Sequence, residues 1–445
     1  MAERVEKYFG FKMEIPPHVR FILERLRENN FDAYIVGGAV RDSILGRSIP
    51  DWDITTSGST GEIRRIFNDT RQYSLKHETV TLVKSKKQYE ITVMKGRVKK
   101  IERDLAHRDF TVNAMAYDDT RGIVLDPYMG KKDLEGKCIR GVSDPCARFE
   151  EDPLRILRAV RLASELGFAI ETETMECISN MSGKLGSVSV ERIRDELRRI
   201  LLAEKPSKWI NILRKTGVLD EIIPELSEGY RKKQNKWHRY TVYRHIMASL
   251  DRVPPVLILR LSALLHDIAK PRVREKINGE FHFYAHEKKS ALMAGEIMER
   301  LKFAGNEIKK VTALVSLHMI DYKSSWSEGA VRRLIRRAGA ENINDLLLLR
   351  RADILAHGSD NDYELSLLDE LEQRIKKAMA KAPALDASDL KINGKEIMDI
   401  LGIKRGPRVG NAIKMLLDIV MDDPDLNSGK KLRKLLLEAK ARNRV

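Results

Sequence analysis

Aromatic residues and long apolar runs are scarce in this sequence. Phe, Trp and Tyr make up 6% of the 445 residues, whereas charged residues make up 33%. No apolar run approaches the roughly 20 residues that a helix needs to cross a bilayer, and MAERVEKYFG lacks the apolar stretch of a signal peptide. We therefore expect a cytoplasmic, mostly helical protein that has a minority of short strands and no membrane association.

Cysteine is also rare. The three cysteines are Cys138, Cys146 and Cys177, and their spacing matches no metal-binding motif. An odd, scattered set argues against the disulfide framework of a small secreted domain. The sequence therefore predicts three free thiols in a reducing compartment.

Acidic residues are outnumbered by basic ones. The chain has 81 Lys and Arg against 65 Asp and Glu, a formal net charge of +16. An excess of this size favours a polyanionic partner, because binding releases the counterions of that partner. A basic surface without a specific partner explains the charge equally well.

The length and the hydrophobic pattern indicate several domains. Val-, Thr- and Tyr-rich runs typical of strands lie in the first third of the chain, and helical periods prevail after about residue 150. We predict an α+β head with a small mixed sheet plus helices over residues 1–145. All-α parts follow, namely a neck over 146–228, a body over 229–380 and a tail over 381–445.

A glycine pair and two aspartates stand out in the head. Gly37 and Gly38 end a predicted strand and open a helix, so their backbone N–H groups can face a phosphate. Arg41 follows on the first helical turn and can donate two hydrogen bonds to the same phosphates. Asp51 and Asp53 alternate on a predicted strand and project from one face, as a pair of Mg²⁺ ions requires. An isolated D-x-D is usually only a polar strand surface, but the glycine turn upstream favours a catalytic site.

Several motifs share the order and spacing of a known family. They are GGAVRD with DWDITTSG, HRDFTVNAMAYD, DPYMGKKDLEGKCIRG and EEDPLRILRAVR. Together they resemble the class II tRNA nucleotidyltransferases, which comprise CCA-adding enzymes and bacterial poly(A) polymerases. The resemblance implies a template-independent enzyme that adds C or A from CTP or ATP to the 3′ end of a tRNA and releases pyrophosphate.

The resemblance assigns roles in the head. Gly38 and Arg41 would contact the incoming nucleotide, and Asp51 and Asp53 would hold two Mg²⁺ ions. Glu90, in QYEIT, is a candidate third metal-facing carboxylate, although a strand-surface glutamate is an equal alternative.

A second segment of the head matches a part of the family that contacts the nucleotide. Arg108 and Asp109 would contact the sugar and the phosphates, and Arg108 would also be a catalytic residue. The preceding family position is often another arginine, but it is His107 here, so we assign it no role.

A predicted helix carries a polar stripe. Asp152 and Arg155 are spaced i and i+3, and Arg158 and Arg161 continue the stripe. Aspartate can accept from the exocyclic amine of cytosine or adenine, and arginine can donate to ring acceptors. A solvated, ion-paired helix face is the commoner cause of such a pattern. The family motif implies instead that Asp152 and Arg155 select the base while Arg158 and Arg161 bind phosphate.

The connection between YEIT and RDFT is short. Full CCA-adding relatives carry a longer flexible insertion there, with which the family switches its pocket from C to A. The connection over residues 93–107 resembles that of CC-adding members, so we predict CC addition. Full CCA addition, A addition and poly(A) synthesis remain alternatives within the same chemistry.

A second group of metal-ligand residues follows in the body. LLHDIAKP places an HD dipeptide at the end of an apolar helix, and the pattern resembles the HD phosphohydrolases, which bind one or two divalent metals. Imidazole and carboxylate ligands suit Mn, Ni or Zn as well as Mg. The substrate could be a 2′,3′-cyclic phosphate end, and a relict site is the alternative. The predicted ligands are His245, His266, Asp267, His286, His318 and Asp353.

Basic segments predict where an RNA would bind. The cationic and aromatic run over 230–240 and the turn with Lys404, Arg405 and Arg408 suit RNA contact, and the resemblance implies that the tail contacts the tRNA elbow. We expect a monomer or homodimer. An inactive RNA-binding protein and a protein whose main activity is the HD phosphohydrolase are the alternatives of other classes.

Overall fold

The computed structural model describes residues 7–75, 79–84, 87–96, 99–234, 239–358, 361–380 and 386–442. The chain forms two compact units, Met1–Ile222 and Ile223–Val445. Across the described ranges, no helix combines the length and the apolar character that crossing a membrane would require. The division into four domains remains a prediction.

The head is built on an eight-stranded sheet whose order is β1-β8-β7-β2-β3-β6-β5-β4. Strands β3 and β6 run parallel and the other neighbours run antiparallel. The strands are β1 (Tyr8–Gly10), β2 (Ala33–Val36), β3 (Asp53–Thr56), β4 (Arg71–Leu75), β5 (Thr79–Lys84), β6 (Lys87–Val93), β7 (Ala116–Asp118) and β8 (Ile123–Leu125).

Short helices flank this sheet. They are α1 (Pro17–Glu28), α2 (Gly38–Ile44), α3 (Thr60–Ile66), α4 (Ile101–Ala106) and α5 (Gly130–Glu135). Helix α1 begins at a proline and buries Val19, Ile22, Leu23 and Leu26, whose spacing of three or four residues makes one apolar face. These helices cover the apolar sheet and leave the ends of β2 and β3 free to carry polar groups.

The rest of the first unit is helical. Its elements are β9 (Cys138–Ile139), α6 (Pro145–Glu151), α7 (Leu154–Leu166), β10 (Ala169–Ile170), α8 (Thr172–Met181), α9 (Val190–Leu201), α10 (Pro206–Lys215) and α11 (Val218–Ile222). Strands β9 and β10 pair in parallel. Helix α7 packs against α9 and α10.

The second unit is almost entirely helical. Its tail has a core of its own, with Leu416, Leu417 and Leu432 among the buried residues. The elements are α12 (Pro224–Ser227), α13 (Val242–Arg252), α14 (Leu257–Leu265), β11 (Glu275–Ile277), β12 (Glu280–His282), α15 (His286–Arg300), α16 (Gly305–Leu317), α17 (Glu328–Ala338), α18 (Ile343–Leu355), α19 (Asp362–Ala380), α20 (Gly394–Leu401), α21 (Pro407–Asp422) and α22 (Gly429–Ala441).

The predicted fold class is confirmed: an α+β head with a mixed sheet precedes helical parts. The prediction of three free thiols is wrong, because Cys146 and Cys177 form a disulfide. Helices α6 and α8 pack against each other and bring together two cysteines that are 31 residues apart. Spacing in the sequence does not reveal this contact, and only Cys138 is a free cysteine.

Candidate active site and a second metal-ligand cluster

The turn between β2 and α2 holds the head's polar groups close to the backbone. Gly37 has φ +68°, and a Cβ at this position would lie 3.2 Å from Asp53 Oδ2 and 3.3 Å from Arg108 Nη1. Any side chain would be strained there and would press on both groups. Glycine therefore lets the backbone approach an acid and an arginine.

Asp53 lies at this turn and interacts electrostatically with two further acids, Asp51 and Glu90. Asp53 is the first residue of β3 and lies in register with Glu90 of β6. The prediction that Asp51 lies on the same strand is wrong. Asp51 precedes β3 and is exposed, because Pro50 lies just before it and the strand pairing begins only at Asp53. Burial raises the pKa of Asp53, and Asp51 adds to the shift, against Arg108, Arg158 and Arg41.

The second acid of the group is affected in the same way. Burial raises the pKa of Glu90, and the charges of Asp53 and Asp51 raise it further. Mutual repulsion of this kind is relieved by a divalent cation bound between the carboxylates. Carboxylates are hard oxygen donors, so these residues have the ligand chemistry that suits Mg²⁺.

A cleft of about 830 Å³ opens beside these acids, within the range typical of small-molecule sites. Its walls come from α2, the segment before β3, α7 and the end of α9. Six of the predicted site residues line it, namely Gly38, Arg41, Asp51, Asp53, Arg158 and Arg161.

The arginines of the cleft are held by neighbouring acceptors. Arg41 donates to both carboxylate oxygens of Asp42, at 3.0 and 2.8 Å, and to Oδ1 of Asn113 at 2.6 Å. Arg161 lies 2.6 Å from Glu196 and 3.2 Å from Glu165. A phosphate entering the cleft would therefore meet arginines that are already oriented.

Arg108 and Asp109 are not among the residues that line the cleft, although Arg108 lies beside the Gly37 turn. Arg108 donates to the buried Asp104 at 3.1 Å, and Asp109 is 2.7 Å from the guanidinium of Arg158. Burial alone would raise the pKa of Asp109, but Arg158 and a hydrogen bond from Asn113 outweigh it, and the pKa is lowered. Asp109 thus holds Arg158 in place from the protein side.

The predicted continuous stripe from Asp152 to Arg161 on one helix is wrong. Asp152 lies in the break between α6 and α7, where Pro153 interrupts the hydrogen-bonding pattern. Its Oδ1 accepts from the N–H of Leu154 at 3.2 Å, and its Oδ2 accepts from Arg192 at 2.9 Å.

The Arg155 guanidinium is hydrogen-bonded to groups that do not line the cleft. Arg155 donates to the carbonyl oxygens of His107 and Arg148, at 2.8 and 3.1 Å, and to Glu151 at 3.1 Å. Its guanidinium thereby ties α7 to α6 and to the segment after α4. Neither Asp152 nor Arg155 is among the residues that line the cleft.

All six predicted ligands of the HD-type site come together in the second unit, and each is at most 7% exposed. His245 Nε2 lies 2.9 Å from Asp353 Oδ1 and 3.4 Å from Asp267 Oδ2. His266 Nε2 lies 3.3 Å from the same Asp267 oxygen. His245, His266 and Asp267 Oδ2 therefore form one group of metal-ligand atoms.

Asp267 also belongs to a second group of donors. Its Oδ1 lies 3.4 Å from His286 Nε2 and 3.7 Å from His318 Nε2. Asp267 Oδ1 and His286 Nε2 are buried and make no hydrogen bond within the described ranges, whereas Asp267 Oδ2 is paired with Lys270. Two ligand groups that share one carboxylate fit a pair of divalent metal ions.

Two cationic residues that the sequence analysis did not predict contact the aspartates of this cluster. Lys270 lies 2.6 Å from Asp267, and Arg350 lies 2.6 Å from Asp353. Burial alone would lower the pKa of His266, but Asp267 and Asp353 outweigh it and raise the pKa to about 10. The spacing of Lys270 in HDIAK, three residues after Asp267, could have revealed the first of these contacts.

The predicted RNA-contacting segments are only partly described. Residues 235–238, which include Lys236, Trp237 and His238, lie outside the described ranges. In the same run, Gln234 accepts from Lys270 at 3.0 Å, so the segment borders the histidine cluster. Lys404 and Arg405 lie at the turn that leads into α21, and Arg408 lies on the first turn of that helix.

Known families match three stretches of the chain. They are the poly A polymerase head domain over residues 33–140, the probable RNA and SrmB-binding site of polymerase A over residues 167–229, and the HD domain over residues 238–358. An A-adding tRNA nucleotidyltransferase from Deinococcus radiodurans is 32% identical over 416 residues, covering 87% of this chain and 91% of that protein. The chain belongs to the tRNA nucleotidyltransferase family.

Two further comparisons place this nucleotidyltransferase within its family. A CC-adding tRNA nucleotidyltransferase from Halalkalibacterium halodurans is 43% identical over 206 residues, covering 46% of this chain and 54% of that protein. The crystal structure of the Bacillus stearothermophilus CCA-adding enzyme in complex with CTP is 25% identical, covers 96% of this chain and 99% of that chain, and has a TM-score of 0.74. The predicted enzyme class and family are confirmed.

Proposed function

We propose that this nucleotidyltransferase adds two C residues to the 3′ end of a tRNA from CTP, with Mg²⁺ held by Asp51 and Asp53. The observation that carries the proposal is the group of carboxylates beside the Gly37 turn, next to an arginine-lined cleft. Glu90, in register with Asp53, is the third metal-facing acid of the proposed site.

The residues in and beside the cleft have separate proposed roles in nucleotide transfer. Bound Mg²⁺ supplies Lewis-acid activation of the attacking 3′-hydroxyl and neutralises charge at the α-phosphate. Arg41 and Arg158 orient the triphosphate, and Asp109 keeps Arg158 in position. Gly38 leaves room for the phosphates, and Arg108 stabilises the charge that develops as pyrophosphate leaves.

Base selection is assigned to the break between α6 and α7. Asp152 accepts from the exocyclic amine of the incoming base, and Arg155 donates to a ring acceptor. Arg161, bound by Glu196 and Glu165, contributes to the phosphate side of the cleft. The proposed partners are therefore CTP and a tRNA 3′ end, with ATP as the alternative nucleotide.

The choice of CC over CCA depends on the connection between β6 and α4. Met94 donates its N–H to Thr56 O at 2.8 Å and Lys95 donates its N–H to Asp104 Oδ1 at 3.1 Å. Lys99 Nζ donates to Met94 O at 2.6 Å. A short connection that is anchored at Met94, Lys95 and Lys99 supports a single pocket shape and hence one base, and the CC-adding relative supports cytosine. The A-adding relative makes adenine the rival.

One experiment separates these products. A tRNA transcript that lacks its terminal CCA is incubated with CTP, with ATP or with both, and a transcript ending in CC is incubated with ATP. We expect two added nucleotides with CTP, no further addition when ATP is present, and no addition to the CC end. Addition of one A to the CC end without any addition of C to the shorter transcript identifies an A-adding enzyme, whereas three residues added to the shorter transcript identify a CCA-adding enzyme.

The histidine cluster supports a second activity. Its shared carboxylate and four imidazoles fit two divalent metals, and such a pair can activate water for phosphoester hydrolysis. We expect release of phosphate, or opening of a 2′,3′-cyclic phosphate, with Mn²⁺ or Ni²⁺ added. Asp267→Asn should remove this hydrolysis, and Asp53→Asn should leave it unchanged.

The remaining assignments concern RNA binding and organisation. The basic segments over 230–240 and around Arg405 are proposed to bind tRNA, the latter at its elbow. We place the protein in the cytoplasm as a monomer or homodimer. The proposed domains are the head over 1–145, the neck over 146–228, the body over 229–380 and the tail over 381–445.

A further inference from the structure

Helix α9 carries alternating charges on the side that faces α7. Arg192, Glu196 and Arg199 are spaced i, i+4 and i+7, so they share one face of the helix. They meet Asp152, Arg161 and Glu165, at 2.9, 2.6 and 2.6 Å respectively. A plus–minus–plus row therefore pairs with a minus–plus–minus row.

This row runs from Arg161 and Glu165, which line the cleft, to Asp152, which does not. Glu196 and Arg199 contact the phosphate-binding end through Arg161 and Glu165. Arg192 contacts the proposed base-reading residue, Asp152. We infer that Arg192 is a specificity-determining positioning residue, which fixes the Asp152 carboxylate so that it accepts from the exocyclic amine of the incoming base. The inference depends on the base-reading role proposed for Asp152.

The hydrogen bonds of Asp152 leave room for a base. The N–H of Leu154 binds Oδ1 at 3.2 Å, and Arg192 binds Oδ2 at 2.9 Å. Each carboxylate oxygen has two lone pairs, so one acceptor position remains on each oxygen after these bonds. Two donors from different elements fix the plane of the carboxylate, whereas Leu154 alone would leave it free to turn.

Stability does not explain the Arg192 contact. The Arg192 side chain is 50% exposed, and an ion pair in such a position contributes little to folding because water screens it. Helix α9 is anchored instead by the buried Ile193, Leu197, Ile200 and Leu201. Variants of Arg192 are therefore expected to fold.

The test compares CTP with UTP, because cytosine presents an amine where uracil presents a carbonyl oxygen. The ratio of kcat/KM for CTP to that for UTP is measured on a tRNA lacking CCA. Arg192→Ala should lower this ratio about tenfold, since one well-placed base contact gives discrimination of this order. Arg192→Glu should lower it further, and Arg192→Lys should restore most of it.

A matched control and a double variant make the result decisive. Lys184 forms an exposed 2.8 Å ion pair with Glu150 in the same part of the chain, and Lys184→Ala should leave the ratio unchanged. In an Asp152→Ala background, Arg192→Ala should have no further effect, because the two residues act together.

The possible failures can be told apart. If Asp152→Ala leaves the ratio unchanged, the base-reading role proposed for Asp152 is wrong. If Asp152→Ala lowers the ratio but Arg192→Ala does not, or slows both nucleotides equally, the role of Arg192 alone is overturned.

Discussion

The arginine-lined cleft and the histidine cluster both contain aspartates, but the pKa values of these aspartates shift in opposite directions. In the cleft, burial and neighbouring acids raise the pKa of Asp53 and Glu90. In the cluster, His266 and Lys270 overcome burial and hold the pKa of Asp267 well below its usual range. In the cleft, the arginines do not offset the effect of burial on the pKa of the acids. In the cluster, His266 and Lys270 do offset it.

Exposure separates the two sites as well. Asp51 is exposed at the edge of a cleft of about 830 Å³, whereas His245, His266 and His318 are at most 1% exposed. An open site exchanges substrate and metal at every turnover, and a closed one retains what it binds. We therefore expect the proposed Mg²⁺ of the cleft to exchange more readily than a metal bound in the cluster.

The largest expected effect comes from removing one acid of the cleft. Asp53→Asn should lower CMP incorporation about a thousandfold or more, because the metal loses a charged ligand beside the reacting phosphate. The measurement is single-turnover extension of tRNA with radiolabelled CTP, with tRNA binding followed separately. Asp69→Asn, an exposed aspartate paired with Arg25, is the control. Retained incorporation in Asp53→Asn would remove the metal assignment.

Metal removal should distinguish the two sites directly. After brief treatment with a chelator, incorporation should stop and then return fully with Mg²⁺, while metal bound in the buried cluster survives and is seen by elemental analysis. Asp267→Asn should weaken binding in the cluster about a hundredfold, because both ligand groups share this carboxylate. Incorporation should be unaffected by that variant, and a parallel loss would show that the sites are not independent.

The disulfide lies in the first unit, which contains the cleft. The second unit, which contains the histidine cluster, has no cysteine, because all three cysteines precede residue 223. Cys146→Ser should destabilise the first unit by about 3 to 4 kcal/mol, because the unfolded chain gains freedom over the 31-residue separation. Thermal unfolding with and without reductant measures the effect. Cys138→Ser, at the free cysteine, should show no reductant dependence beyond that of the unaltered protein.

The smallest expected effect concerns the turn that holds the cleft acids. Gly37→Ala should reduce kcat about tenfold, because a Cβ would press on Asp53 and Arg108 in a backbone conformation that suits glycine. Gly46→Ala serves as a control, since it also has positive φ but its Cβ would meet nothing within 4 Å. Equal losses in the two variants would mean that backbone strain alone, and not contact with the acid, causes the effect.

The sequence by itself determined the local chemistry of this protein. The glycine pair, the D-x-D acids and the HD dipeptide lie within short segments, where spacing fixes which groups are near neighbours. Periodicity likewise predicted the change from a mixed sheet to helices. These features depend on local backbone geometry, so they can be read without knowing the fold.

Only the tertiary structure decided the contacts between distant segments. The pairing of Asp53 with Glu90, the Cys146–Cys177 disulfide and the contact of Arg192 with Asp152 join residues that are about 30 to 40 positions apart. The spacing of charged residues also did not predict the break between α6 and α7 at Pro153. Such contacts arise from strand register and helix packing, which depend on how whole apolar faces fit together.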